Sequence, residues 1–191
     1  MDIIDVCDKE LLLNTRIVGM SKIDWGKTIA VSNQYIHRNI LRHYGCDVFS
    51  TDDADCPEID TSNNSPGFDL VLRKSDGSLV RIQSKLRQVK GATDTSQQTH
   101  FETTRRNSVK NIGKNQSGHI SYSMDEFDFV MISLVNVKKD FSRRTDVNRW
   151  TFCLIPVQEL LDSDRKCCVN KISSSLLTTY SARFQDVIET I

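Results

Sequence analysis

The sequence of 191 residues lacks several features that would place it in a common class of protein. It has no apolar run approaching the roughly 18 residues that a membrane-crossing helix needs, and no internal repeat. Its opening segment, MDIIDVCDKELLL, is acidic and lacks the basic-then-apolar layout of a secretory signal. We therefore expect an intracellular, cytoplasmic protein in which residues 1–191 form a single domain.

The six cysteines lack the spacing of a zinc site. No C-x2-C pair is present, and structural zinc sites need such pairs with further cysteines or histidines nearby. Cys167 and Cys168 are adjacent, so a disulfide between them would be strained. Free thiols in a reducing compartment are the simpler interpretation.

The chain also lacks a net charge, with 25 basic and 25 acidic residues, which argues against a protein that coats DNA through general basicity. The two signs are nevertheless separated along the chain. Residues 47–60 contain six acidic residues and no basic one, whereas residues 73–114 contain ten basic and three acidic residues. An acidic pocket beside a basic surface suits a metal-dependent enzyme acting on a phosphate polymer, although charges interleaved on solvated faces would give the same counts.

Hydrophobic patterns predict a mixed β-sheet covered by helices, which is an α/β or α+β architecture, and α/β is the class we adopt. Residues 29–44 have the spacing of an amphipathic helix, with Ser32 as its N-cap and Gly45 at its end. Asp76-Gly77 between two β-rich runs predicts a hairpin turn at 75–78. The predicted strands are 46–50, 68–74, 79–87, 127–137 and 149–157, and further helices are predicted near 2–13, 157–162 and 174–189.

The predicted hairpin brings an acid, an amide and a lysine together. Asp69 lies near the start of one strand and roughly opposite Gln83-Ser84-Lys85 on its partner. Side chains alternate between faces, so Gln83 and Lys85 share a face and Ser84 points away. Hydrolysis of a phosphodiester needs such groups, because a carboxylate and a second oxygen hold Mg²⁺, the metal activates a water, and a lysine stabilises the developing charge.

The residues Pro66-Gly67-Phe68-Asp69, followed after thirteen residues by Gln83-Ser84-Lys85, resemble the motif of the PD-(D/E)XK nuclease superfamily. Type II restriction endonucleases and archaeal Holliday-junction resolvases belong to this superfamily. With the upstream helix, Gly45 and the strand after it, the resemblance covers about residues 30–90. It implies a restriction-endonuclease-like mixed sheet flanked by helices.

The resemblance also implies roles for the motif residues. Asp69 and Gln83 would bind Mg²⁺, for which Mn²⁺ is a possible substitute, and the backbone carbonyl of Ser84 would be a further ligand. Lys85 would serve the attacking water. Asp69, Gln83 and Lys85 are thus the implied catalytic residues.

Two positions depart from the family pattern. The acid of the second motif is Gln83, and the acid that many members carry in the first helix falls on Gln34. Some restriction enzymes also have glutamine at the second motif, so activity is compatible with this change. Only Asp69 brings a negative charge, so either the preceding loop supplies another acid, or metal affinity is weak, or the site is degenerate. The candidates for that acid are Asp53, Asp55, Glu58 and Asp60.

Residues 91–121 are dense in hydroxyl, amide and guanidinium groups, and we interpret them as a DNA-contacting insertion. Arginine binds guanine edges or phosphates, and asparagine or glutamine pairs with adenine. A polar, solvated insertion is the alternative. The four histidines are interpreted as ordinary polar contacts. The candidate DNA contacts are Arg87, Gln97, Gln98, Arg105, Arg106, Asn107 and Lys110.

The leading hypothesis is a Mg²⁺-dependent, type II restriction-like endonuclease that cuts double-stranded DNA at a short specific site. A chain of this length has little room to span both strands, so we expect a homodimer with one active centre per strand. A catalytically decayed DNA-binding protein of the same fold is the first alternative. A Holliday-junction resolvase is the second, and Gln34 counts against it because an acid is expected in the first helix.

Overall fold

The computed structural model describes eight segments of the chain. In chain order the elements are helix α1 (Lys22–His43), strands β1 (Asp47–Ser50), β2 (Leu70–Arg73), β3 (Leu79–Val89), β4 (Thr99–His100), β5 (Thr104–Arg106), β6 (His119–Ser121), β7 (Phe129–Asn136) and β8 (Thr151–Pro156), a 3-10 helix (Val157–Leu160), strand β9 (Lys171–Ile172), and helices α2 (Ser174–Ala182) and α3 (Phe184–Glu189). The described residues are 22–51, 53–57, 67–89, 99–100, 104–106, 119–136, 150–164 and 171–191.

Five strands form the main sheet, in the order β1-β2-β3-β7-β8. The first three form an antiparallel meander, β3 and β7 are parallel, and β7 and β8 are antiparallel. Two small two-stranded sheets, β4-β9 and β5-β6, complete the described strands. The mixed sheet and its helices confirm the α/β class predicted from the sequence.

Helix α1 packs on the sheet through Ile36, Ile40 and Leu41, which are buried at the spacing of one helical face. The helix begins at Lys22, so the prediction that Ser32 is its N-cap is wrong, and Ser32 lies inside the helix. Glycine and β-branched residues are frequent in the first turns, and their low helix propensity placed the predicted start too late.

The predicted end of helix α1 at Gly45 is confirmed. Gly45 has φ +85°, a conformation that glycine adopts without steric cost. Its N–H donates to the Arg42 carbonyl (2.9 Å), and the Cys46 N–H donates to the Leu41 carbonyl (3.2 Å). These two bonds form a Schellman motif, which satisfies carbonyls of the last helical turn and turns the chain into β1.

The predicted hairpin between β2 and β3 is also confirmed. Gly77 has φ +83°, and the Lys74 N–H donates to the Ser78 carbonyl at 2.8 Å. The Asp76 carboxylate accepts a hydrogen bond from the Ser78 N–H (2.8 Å), as an aspartate in a tight turn commonly does. The turn fixes the register in which Leu70 pairs with Ile82.

The C-terminal region departs from the prediction at two places. The helix expected over 157–162 is a short 3-10 helix, and the single helix expected over 174–189 is divided at Arg183, where the backbone (φ −98°, ψ 13°) leaves the helical conformation. The helix expected over 2–13 lies outside the described residues. No helix in the described segments has both the length and the apolar character needed to cross a membrane.

Helices lie against both faces of the sheet. Side chains opposite each other in the register share a face, so Ser133 and Phe152 lie on one face and Ile132 and Cys153 on the other. The first face meets helix α1, since the His37 and Phe152 rings are 6.0 Å apart. The second meets helix α2, where the Cys153 thiol donates to the backbone carbonyl of a helix residue (3.4 Å). β7 is therefore buried on both faces, as its continuous apolar run predicts.

Candidate active site

The motif residues lie where strand β3 extends beyond its neighbour β2. β2 has four residues and β3 has eleven, and their register ends at the Leu70–Ile82 pair. Beyond that pair, β3 is paired within the described segments with β7 alone. Asp69 directly precedes β2 and therefore lies at this boundary.

The backbone of Asp69 is held on both sides. Its N–H donates to the Ile82 carbonyl (3.0 Å), and its carbonyl accepts from the Thr51 N–H (3.1 Å). Hydrogen bonds to β3 and to Thr51, the residue after β1, thus fix the backbone from which the Asp69 side chain extends. The carboxylate therefore has a fixed point of attachment, as a ligand or catalytic group requires.

The Asp69 carboxylate accepts two hydrogen bonds from the Gln83-Ser84-Lys85 tripeptide of β3. Oδ2 accepts from the Ser84 backbone N–H (2.8 Å) and from the Gln83 side-chain Nε2 (2.5 Å). The carboxylate is thus the hydrogen-bond acceptor for the Ser84 N–H beyond the Leu70–Ile82 pair, and bonds to an ionised acceptor are stronger than neutral ones. The structure brings Asp69, Gln83 and Ser84 together, as the hairpin predicts.

The Ser84 carbonyl points to the same edge of β3. Within a strand, the N–H and C=O of one residue point to the same side, and successive residues alternate. The N–H and C=O of Arg81 point to the opposite edge, towards β7. The N–H donates to the Asp128 carboxylate (2.7 Å), and the carbonyl accepts from the Asp128 N–H (2.9 Å). The Ser84 N–H points to Asp69 instead, so the Ser84 carbonyl also faces the end of β2.

Two kinds of oxygen therefore face this edge, the Asp69 carboxylate and the Ser84 carbonyl, and the Gln83 side-chain amide lies beside them. Carboxylate and carbonyl oxygens are the hard ligands that Mg²⁺ prefers. Gln83 is buried and turns Nε2 to Asp69, and a half-turn of its amide would present Oε1 there. In the described part of the chain, no three His, Cys, Asp or Glu side chains are grouped to hold a metal. The donor set fits Mg²⁺ by type but has little charge.

Lys85 has a defined partner outside the motif. Its Nζ donates to the Tyr122 hydroxyl (3.2 Å) and lies 5.1 Å from the centroid of that ring. Tyr122 is buried and packs edge-on against Phe127, with ring centroids 5.4 Å apart. The sequence did not indicate Tyr122, because it lies 37 residues from Lys85 and carries no local signal.

On the opposite face, four buried polar side chains form a closed ring, here called the polar ring: Asn33, His37, Ser84 and Ser133. Asn33 Nδ2 donates to Ser84 Oγ (2.9 Å), and Ser84 Oγ lies 2.8 Å from His37 Nδ1. His37 Nε2 lies 2.7 Å from Ser133 Oγ, which donates to Asn33 Oδ1 (2.6 Å). Burial lowers the pKa of His37 to about 3, so the imidazole is neutral at physiological pH. His37 is a polar contact, as predicted, but one that links helix α1 to the motif.

The candidate acids of the loop after β1 have different surroundings. Both carboxylate oxygens of Asp53 accept from Arg38 Nη1 (3.1 and 2.9 Å), and one also accepts from the Ser50 N–H (2.7 Å). Asp53 thus joins this loop to helix α1. Asp55 is exposed. The two remaining candidates, Glu58 and Asp60, lie outside the described residues.

Gln34 is half-buried on helix α1, but the described side-chain bonds from this helix to β3 come from Asn33 and His37. Arg87 is half-buried, and within the described segments its Nε is buried without a hydrogen-bond partner. By strand alternation it shares a face with Gln83 and Lys85.

The region predicted as a DNA-contacting insertion contains the short strands β4, β5 and β6. Arg105 and Arg106 lie on β5, and their side chains are outside the described part of the structure. The remaining candidate contacts, Gln97, Gln98, Asn107 and Lys110, are also outside it.

The described cysteines Cys46, Cys56 and Cys153 are free thiols, as predicted. Burial raises the pKa of Cys153 to about 12 and also raises that of Cys46, so neither is a thiolate at neutral pH. Thiolates are the form that binds metals and attacks substrates. Cys46 and Cys153 are therefore not candidates for metal binding or nucleophilic attack.

Comparisons of the chain with protein-family models, with curated protein sequences and with solved structures gave no match.

Proposed function

We propose that this chain is a Mg²⁺-dependent endonuclease of the type II restriction kind, which hydrolyses double-stranded DNA at a short specific site. The observation that supports it most directly is the closure of the Asp69 carboxylate on Gln83 and on the Ser84 N–H. Lys85 follows in the same strand, on the face of Gln83. This combination has the spacing of the PD-(D/E)XK motif, its first acid and its lysine, with Gln83 in the place of the second acid.

The proposal includes a restriction-endonuclease-like fold. The support is the position of the motif on an antiparallel hairpin, the parallel strand β7 beside it, and a helix before β1 that packs on the same sheet. The shared motif and the order of elements support this architecture together.

In the proposed site, Asp69, Gln83 and the Ser84 carbonyl would hold Mg²⁺, or Mn²⁺ in its place, and the ion would supply Lewis-acid chemistry to the phosphate and to a water. The Lys85 ammonium group would donate a hydrogen bond to the phosphate oxygen on which negative charge develops. The Tyr122 hydroxyl, which accepts from this ammonium group, orients it.

Arg87 extends the proposed site along β3. It lies two residues beyond Lys85, which corresponds to roughly 7 Å along a strand. Arginine is the side chain best suited to bind a phosphate through two parallel hydrogen bonds, and Arg87 is half-buried on the face that Gln83 and Lys85 share. We assign Arg87 to a phosphate next to the one that is cut. Two copies of the chain, with one centre for each strand, complete the proposed enzyme.

Digestion of a plasmid with the full chain, in Mg²⁺ and separately in Mn²⁺, tests the proposal. Discrete fragments are expected, and sequencing their ends gives the specificity and the stagger. Asp69→Asn and Lys85→Ala should each lower cleavage at least about 100-fold. Asp164→Asn and Lys74→Ala change the same residue types away from the motif and should cut normally. Normal cleavage by both motif variants would refute the assignment.

A DNA-binding protein with a decayed site is the second candidate. It is supported by Gln83, which leaves Asp69 as the single carboxylate of the motif, and by the bonds of Asp53 to Arg38 rather than to the motif. No cutting in either metal, with a retained gel shift on duplex DNA, would favour it. A preference for four-way over linear DNA would favour a junction resolvase instead.

A further inference from the structure

We infer that Asn33, His37 and Ser133 are positioning residues, which fix Ser84 and thereby orient the metal-facing segment Gln83–Lys85. The inference rests on the proposed function, because it assigns a task within the same site. The observations that carry it are the geometry, the burial and the location of the polar ring.

The polar ring is a directed cycle in which each hydroxyl donates one hydrogen bond and accepts one, and each ring nitrogen makes one. Asn33 Oδ1 can only accept, so the Ser133 hydroxyl donates to it. Ser133 Oγ must then accept from His37, which places the imidazole proton on Nε2. Nδ1 is therefore an acceptor, the Ser84 hydroxyl donates to it, and Ser84 Oγ accepts from Asn33 Nδ2. All donors point the same way round the cycle, and such bonds strengthen one another.

Stability alone does not account for this ring. Neighbouring positions on the same face of the sheet, such as Ile82 and Met131, are apolar and fully buried. Apolar side chains of similar volume commonly stabilise a core as well as a buried polar cluster does. A polar cluster adds direction, because hydrogen bonds of 2.6–2.9 Å fix the position of an oxygen atom more closely than apolar contacts do.

The polar ring does not supply a nucleophile. A serine hydroxyl bonded to a histidine is the arrangement of hydrolases with a covalent intermediate. Here the relative exposure is 9% for Ser84 and zero for His37, and both side chains lie between helix α1 and the sheet. A phosphodiester has no access to these atoms, so the ring acts through the backbone that it holds.

Ser84 is held from two directions. Its hydroxyl is fixed from the helix side by Asn33 and His37, and its N–H is fixed at the strand edge by Asp69. Rotation of the Ser84 backbone would break a bond on one of these sides. The carbonyl of Ser84 and the origins of its covalent neighbours Gln83 and Lys85 are therefore held together.

The test uses Ser133→Ala, because Ser133 belongs to the polar ring and has no described side-chain bond to Asp69, Gln83 or Lys85. Val135→Ala is the matched control, since Val135 is buried two positions along the same face of β7. Free Mn²⁺ is measured by electron paramagnetic resonance during titration of the full chain at neutral pH. Cleavage kinetics and thermal unfolding are measured on the same samples.

Ser133→Ala should weaken Mn²⁺ binding about tenfold, as loss of groups that orient metal ligands commonly does, and should lower kcat without changing KM for DNA. Val135→Ala should lower the unfolding temperature and leave Mn²⁺ binding within about twofold. Ser133→Thr keeps the hydroxyl and should restore binding. If Ser133→Ala fails to fold, Ser84→Ala replaces it, with the same expected loss of Mn²⁺ affinity.

Equal Mn²⁺ affinity in the wild type and the polar-ring variant would overturn the inference and leave the proposed function standing. A loss no larger than that of Val135→Ala would do the same, because it would reflect general destabilisation. A wild-type chain that neither binds Mn²⁺ nor cuts DNA would overturn the proposed function, and the inference with it.

Discussion

The two halves of strand β3 differ in what holds them. In the first half, Val80 and Ile82 both pair with β2, Ile82 also pairs with β7, and both side chains pack into the apolar core. The second half lies beyond the end of β2. Its buried position facing helix α1 is the polar Ser84, and the Ser84 N–H donates to the Asp69 carboxylate and not to a neighbouring strand. Backbone groups that lose a ladder partner must find another. The comparison shows that the candidate site forms where the ladder stops, since groups released from the sheet can bind a ligand.

The largest expected difference between the halves is their response to acid. The pKa of His37 falls from 6.5 in the unfolded chain to about 3 in the fold, because burial disfavours the imidazolium form. The contribution of neutral His37 to the free energy of unfolding is complete above pH 6.5. It is lost as the pH falls towards 3, because in that range His37 gains a proton only in the unfolded chain. The loss is about 1.4 kcal/mol per pH unit between these two pKa values.

Urea unfolding at pH 7, 6, 5 and 4 measures this effect. Carboxylates also titrate in part of that range, so the comparison is with His37→Gln, whose amide does not titrate. The wild type should lose stability on acidification more steeply than the variant. Parallel curves would show that His37 does not carry the acid sensitivity.

Next in size is the effect of removing apolar packing from the first half. Ile82→Ala should destabilise the fold by about 2–5 kcal/mol, the usual range for truncating a fully buried side chain of this size. Mn²⁺ affinity, corrected for the folded fraction, should not change. Denaturant unfolding and metal titration measure the two quantities. An affinity loss as large as that of Ser84→Ala would erase the distinction between the halves.

A change of charge in the second half of β3 should have a smaller effect on stability, and the sign of that effect should depend on whether Mg²⁺ is present. In Gln83→Glu a second carboxylate faces Asp69 where the amide now donates, so we expect a lower unfolding temperature than the wild type in EDTA. Added Mg²⁺ should raise it more than in the wild type, because cation affinity rises with ligand charge. The expected gain in Mg²⁺ affinity is about tenfold, or 1.4 kcal/mol. A variant that Mg²⁺ does not stabilise would argue against a metal at this edge.

The smallest expected effect follows from removing the Tyr122 hydroxyl, which orients the ammonium group of Lys85. Tyr122→Phe removes the hydroxyl that accepts from Lys85 and keeps the ring that packs on Phe127. We expect kcat to fall about three- to tenfold, within the net range of one hydrogen bond, with KM, Mn²⁺ affinity and thermal unfolding unchanged. Steady-state cleavage kinetics measure the split. A change in KM alone would instead place Tyr122 in DNA binding.

The elements predicted well are those with local signals. Gly45 ends helix α1 and Asp76-Gly77 forms the hairpin because a few adjacent residues determine each conformation. The convergence of Asp69 with Gln83 follows from the same turn, since the hairpin sets the register. Their chemical roles remain predictions.

The polar ring and the lysine partner could not be predicted in this way. Asn33 and Ser84 are 51 residues apart, and His37 and Ser133 are 96 apart, so no local pattern connects them. A lone histidine in an amphipathic helix has the same appearance whether it is solvated or enclosed by two serines. The bonds of Asp53 to Arg38 were equally hidden, because a pair between a helix and a loop depends on how the two pack.

The parallel pairing of β3 with β7 has a consequence for the order of folding. The β2–β3 hairpin closes a turn of a few residues, whereas the pairing of Ile82 with Phe129 closes a much longer loop at a larger entropic cost. Ser133 lies on β7, so the polar ring cannot close before that slower step. During synthesis, Asp69 and Lys85 leave the ribosome well before Ser133. We therefore expect the nascent chain to carry its candidate site in an unfinished form until β7 has been made.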